Sequence, residues 1–149
     1  MSRSGYSDSL DQRDLAMWRG RIMSATRGKR GQKFFRDLVA ALDAMPAKRL
    51  VDGALETAEG DVCALGSLAR AVGAALKPDD TYDYDKLGET FDIAACLSQE
   101  VMFVNDEGGP CRGETDEGRW LRVRNWAAGQ CGISPAPTTP SPAPGGGAP

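Results

Sequence analysis

The densest chemistry in the chain is a run of cations. Arg19, Arg21, Arg27, Lys29, Arg30, Lys33 and Arg36 fall within eighteen residues. Cations packed around one helix–helix joint can share a side, and a shared side of that kind contacts phosphates. The opposite sign gathers further on, where Asp79, Asp80, Asp83 and Asp85 crowd around Tyr82 and Tyr84. That spacing lacks the central glycine and late glutamate of an EF-hand loop. It reads as a solvated acidic loop. A sharper alternative has the acidic half, Asp79 to Glu117, imitate a nucleic acid and enter a basic channel.

Covalent chemistry is poorly supplied. The chain has no histidine, so neither a Ser–His nor a Cys–His pair can be assembled. Cys63 precedes a helical pattern, and a helix N-terminus lowers a thiol's pKa. Its neighbours Val62, Ala64 and Leu65 are apolar, however, which fits a buried structural cysteine. Cys63, Cys96, Cys111 and Cys131 form no CxxC pair, so a zinc site is not expected. Four reduced thiols are the expectation, with two disulfides as the alternative. Gly28-Lys29-Arg30-Gly31 lacks the P-loop pattern, and Gly53 and Gly60 form no dinucleotide fingerprint. The reading is therefore a non-enzyme with no catalytic residue, no metal ligands and no cofactor.

The elements that position these groups follow from apolar spacing. Leu15, Trp18, Ile22 and Ala25 recur at three and four residues and predict a helix over 10–26. Phe34, Leu38, Leu42 and Met45 predict a second over 32–44, and Pro46 stops it. The pair should form an N-terminal helical hairpin, with Gly28 closing its first arm as a C′ residue. Leu50-Val51 and Val62-Cys63, flanked by turn residues, leave room for a small β-hairpin between helices 2 and 3. A third helix is expected from residue 64 or 65 to 76. A fourth runs from about 85 or 90 to 104, and a last one is capped by Thr115 and carries Trp120, Val123 and Trp126. All three tryptophans lie on apolar stripes, where core packing is the default.

The fold class is thus mainly α: about five helices in one domain spanning 10–131. A loose segment should precede it over 1–9. A disordered Pro/Gly-rich tail should follow over 132–149. No apolar run approaches a membrane span, and the opening residues have no signal-peptide core. Residues 1–50 carry eleven Lys/Arg against five Asp/Glu, whereas the remainder carries seven against sixteen. Such asymmetry fits either a polyanion-binding end or two halves that pack with complementary surfaces. The pI near 5.0 counts against a dedicated DNA binder.

Several pieces together are specific. Trp18-Arg19-Gly20-Arg21 is followed by RGKRGQKFFRDLVAALDAMPAKRL over 27–50. Further on come Val62-Cys63-Ala64-Leu65-Gly66, Asn105-Asp106-Glu107, Arg119-Trp120 and Trp126. This pattern, spanning about 6–130, resembles a group of small proteins of bacteriophages and prophages of proteobacteria. The cysteine and proline-rich tail after Trp126 departs from it. The resemblance carries over no catalytic or binding residue. It implies a phage or prophage setting and a bacterial cytoplasm. The expected function is then an interaction protein that binds a host or phage macromolecule, with inhibition of a host defence as one form. The alternative is a nucleic-acid-binding accessory protein using the basic patch.

Overall fold

The computed structural model describes residues 2–6, 10–110 and 112–137. Cys111 and the tail from residue 138 onward lie outside them. Among the described residues there are six α-helices: α1 (Gln12–Arg27), α2 (Lys29–Ala44), α3 (Ala64–Val72), α4 (Tyr84–Phe91), α5 (Ala95–Glu107) and α6 (Asp116–Gln130). A short 3-10 helix, Pro78–Tyr82, leads into α4. None of these helices is long and apolar enough to cross a membrane.

Helix α2 is central. Phe34, Phe35, Leu38, Val39 and Leu42 bury nearly completely, and the helix packs against α6, α3 and α1. Aromatic rings close one side: Phe35 meets Phe34 at 5.2 Å and Trp126 at 5.4 Å, both edge to face. Trp120 is buried, and its indole Nε1 donates to the Leu42 carbonyl at 3.1 Å. Helix α6 is held on the same scaffold by Arg124, whose guanidinium grips Asp43 through two bonds of 2.9 Å.

Three expectations need correction. The small β-hairpin between helices 2 and 3 does not form. The Val51 amide does reach the Val62 carbonyl at 3.0 Å, but the Leu50 amide is taken by Asp116, so this pairing does not extend into a ladder. Among the described residues the bridge that forms is Glu56 with Val62, made by the Cys63 amide on Leu55 and the Thr57 amide on Asp61, and it stays isolated. The single fourth helix is two, which makes the count six. Asp92 adopts a left-handed conformation (φ 54°) and ends α4, and α5 restarts at Ala95. The third helix stops at Val72, not 76, because Gly73 turns left-handed (φ 71°) and its amide closes onto Ala69 and Arg70.

Residues 2–6, expected to be loose, are packed down. Arg3 is buried, and its Nε and Nη2 donate to the two Asp106 oxygens at 2.6 and 2.9 Å. Its Nη1 reaches Cys63 Sγ and Thr81 Oγ1, each at 3.5 Å. The Arg3 carbonyl accepts from the Tyr84 hydroxyl at 2.8 Å, and the Ser4 carbonyl accepts from Gln99 at 3.1 Å. Asn105 joins this knot to α3: its Oδ1 accepts from the Ala64 amide at 3.1 Å, and its Nδ2 donates to Val51 and to Asp106. At the other end Ile133 packs on the core, Ser134 accepts from Arg124, and the Ala136 amide donates to Asn125. The ordered chain therefore continues past 131.

Burial by itself pushes the Asp106 carboxyl up, but the Arg3 guanidinium, with Asn105 and the Gly53 amide, outweighs it and holds the group below the usual carboxylate range. Arg124 holds Asp43 down, and Arg122 holds Glu114 down. Depressed carboxylates contribute stability that is complete above the unfolded range, near pH ~4, and is lost as pH falls through their folded values. Acid unfolding should therefore set in below about pH 4. Arg3→Ala should cost about 3 kcal/mol in urea unfolding at neutral pH, because it strands a mostly buried carboxylate. Asp106→Asn should be less stable at neutral pH and should lose part of the acid dependence. A variant Arg3→Ala with wild-type stability would show that the N-terminal segment is merely laid on the surface.

Candidate functional site

The basic cluster sits at the joint of α1 and α2, and that joint is tighter than expected. Gly28 alone separates the two helices. It is extended (φ −66°, ψ 162°), not left-handed, and it ends α1 while opening α2. The second helix therefore starts at Lys29, three residues before its expected start. Gly31 makes this feasible: a Cβ there would run into the Ala25 carbonyl oxygen. Gln32 locks the junction, donating from Nε2 to both the Thr26 and Gln130 carbonyls at 2.8 Å.

All seven predicted cations are exposed, but they are not equivalent. Arg19 is answered inside the fold. Its Nη1 donates to both oxygens of buried Glu100 at 2.9 Å and also to the Tyr6 hydroxyl. The Tyr6 hydroxyl in turn donates to Glu100 and accepts from Trp18 Nε1. Arg30 pairs with Asp92 at 3.2 Å, and Lys33 pairs with Asp37 one turn along α2 at 2.5 Å. Such exposed pairs contribute little. Arg21, Arg27, Lys29 and Arg36 have no ion-pair partner among the described residues.

Arg21, Lys29 and Arg30 surround a recess of about 520 Å³ whose far wall is Ile93, Ala94 and Cys96. Two helices begin at this recess. Neither Gly28, at the start of α2, nor Ala94, at the start of α5, offers a side-chain cap, and neither first turn holds an acidic residue. A positive helix end favours anions, although in α5 the Leu97 amide already donates to the Ala94 carbonyl at 2.9 Å. Burial pushes the Cys96 thiol up, against the pull of the Arg21 charge. What this arrangement can do is hold a negative group against cations and amides. Among the described residues no cluster of three or more His, Cys, Asp or Glu is placed to hold a metal.

The acidic residues are solvated at Asp79, Asp83 and Asp85, but they lie on a 3-10 helix and the start of α4 rather than in a loop. Asp80 is nearly buried; the Lys77 amide and the Lys86 ammonium, at 2.7 and 2.8 Å, hold its carboxyl down. Asp83 caps α4 by accepting from the Lys86 amide at 3.0 Å. Asp79 lies in the first turn of the 3-10 helix and Asp85 in the first turn of α4, where negative charge suits the helix end. Asp85 also borders a second recess shared with Arg30 and Asp92. The sequence reading missed the α4–α5 wall of the first recess, because the break at Asp92 carries no glycine or proline to announce it. It also missed Glu100, hidden within an apolar stripe.

Gly31→Ala should destabilise the protein by about 2–3 kcal/mol, since the joint must open. Gly20→Ala, with open space around its Cβ, should be neutral or stabilising by about 0.5–1 kcal/mol. Equal effects in chemical unfolding would show that the joint is not closely packed.

No family model, no curated protein and no solved structure matches the chain.

Proposed function

We propose that the protein is a non-enzymatic interaction protein of phage or prophage origin, acting in a bacterial cytoplasm, that binds a host or phage macromolecule through α1 and the α1–α2 joint. One observation carries this reading. Helix α1 buries only Ile22 and Thr26, and leaves Leu15, Met17 and Met23 at 43%, 51% and 48% exposure. Met17, Gly20, Met23 and Arg27 follow at three- and four-residue spacing, so they form one outward stripe. Flexible, polarisable methionines beside unanswered cations suit a partner that offers apolar side chains within an acidic surface. Inhibition of a host defence complex is the form that the phage resemblance suggests.

A second reading is favoured by the recess at the joint, where cations and uncapped helix starts converge. It makes the protein a nucleic-acid-binding accessory factor. Contact would be through phosphates: the Phe-rich face of α2 is buried, and its exposed side shows Lys33, Arg36 and Asp43 rather than base-reading amides.

Affinity capture of the tagged protein from phage-infected host lysate, with and without nuclease, separates the two. The first reading expects a stoichiometric protein that survives nuclease. Its affinity for the purified protein should fall about tenfold or more in Met17→Glu/Met23→Glu. The second expects captured material to vanish with nuclease. Lys29→Glu/Arg30→Glu should then weaken binding and flatten the logarithmic salt slope by about two.

A further inference from the structure

Two recesses of opposite charge lie side by side at the start of α2. One is the basic recess at the joint, with Arg21, Lys29 and Arg30 around it. The other, also about 520 Å³, is bordered by Asp85, Glu89 and Asp92. Arg30 and Ile93 line both, so they form the ridge between them. On that ridge Arg30 pairs with Asp92 at 3.2 Å. Arg21, Lys29, Asp85 and Glu89 are exposed, and none of them has an ion-pair partner among the described residues.

These unpaired charges work against their own helices. Lys29 opens α2, and a cation is disfavoured at the positive start of a helix. Glu89 lies in the last turn of α4, where the negative end disfavours a carboxylate. Asp85 and Glu89 stand four residues apart on α4, and like charges at that spacing repel. A nucleic acid would answer only the cations. A second copy of this chain answers both signs, with residues already on this face.

We propose that two copies pair about a two-fold axis at the Arg30–Ile93 ridge, so that Arg21 and Lys29 of each copy meet Asp85 and Glu89 of the other. One such axis makes the complementary match twice and closes the assembly at two. Buried Ile93, with Ala94 and Ala95 beside it, gives the contact a small apolar centre. The patch is smaller than the roughly 20–30 residues a side of a standard interface, so the dimer is weak, with a Kd on the order of 0.1 mM. Its strength comes mainly from exposed charge and therefore falls with salt. The inference is independent of the α1 methionine stripe. It places a second copy on cations that the nucleic-acid reading assigns to phosphates.

Sedimentation equilibrium of the full chain, freed of nucleic acid, tests the pairing. In about 20 mM salt the average mass should climb from 15.9 kDa toward twice that value as the protein goes from about 10 µM to about 1 mM. It should fall back in about 0.5 M salt. Arg21→Glu/Lys29→Glu and Asp85→Lys/Glu89→Lys should each weaken the dimer about tenfold or more. An equimolar mixture of these two variants should associate as the wild type does, because opposite signs then face each other in both halves of the contact. Lys29→Glu and Glu89→Lys each place the favoured sign at a helix end, so the melting temperature should hold or rise and loss of pairing is not loss of fold. A chain that stays at 15.9 kDa at about 1 mM in low salt overturns the proposal. If Lys29→Glu/Arg30→Glu still weakens nucleic-acid binding by that monomer, the nucleic-acid reading stands without it. A dimer that survives both charge-reversed pairs, or a mixture that stays monomeric, overturns it equally.

Discussion

The apolar face of α2 is wider than a surface helix ordinarily carries, and three other helices have to cover it. Phe34 and Phe35 are adjacent in sequence and both buried, so they point to different neighbours: Phe34 toward Phe91 at the end of α4, Phe35 toward Trp126 on α6. Leu38, Val39 and Leu42 extend the burial toward α3 and α6. With its middle enclosed, the helix has only its ends and a narrow strip from Lys33 to Asp43 for contact with solvent. Two of the concave sites are consequences. Each forms where α2 runs out of cover, at the tight Gly28 joint and at the Met45–Arg49 turn.

How much of this is legible in the sequence depends on range. The α2 stripe, the Thr115 cap of α6 and the stop at Pro46 are local signals, and they appear where the residues place them. The α1 stripe does not: of Leu15, Trp18, Ile22 and Ala25 only Ile22 is buried, and Leu15 faces solvent. The N-terminal knot could not be read locally. Arg3 and Ser4 are polar residues in a Ser/Gly-rich stretch, and only a carboxylate about a hundred positions away makes their burial favourable. Asn105 is similar. Within α5 it looks like a solvent-facing amide, yet it is fully buried as the cap of α3. These two long-range polar contacts also explain why Val62–Gly66 and Asn105–Glu107, distant in sequence, meet in space.

The acidic cluster teaches a related lesson about charge. Four aspartates in seven residues look like a surface feature because no apolar residue argues otherwise. In the structure two of them serve backbone amides, one under the 3-10 turn and one at the start of α4. Aspartate competes well for backbone donors at helix starts. A run of them before a helical pattern is therefore as much a capping signal as a binding signal.

The uneven charge of the two halves resolves in a mixed way. Arg3, Arg19 and Arg30 from the basic half meet Asp106, Glu100 and Asp92 from the acidic half, and Arg124 from the acidic half reaches back to Asp43. Complementary packing thus accounts for part of the asymmetry. It also removes Arg19 from the exposed basic surface, because a buried carboxylate already engages it. The cations left over are Arg21, Arg27, Lys29 and Arg36. They lie on the two helices that meet at Gly28 and are exposed. Among the described residues none of the four has an ion-pair partner, so the complementary packing that engages Arg3, Arg19, Arg30 and Arg124 leaves their charge unanswered.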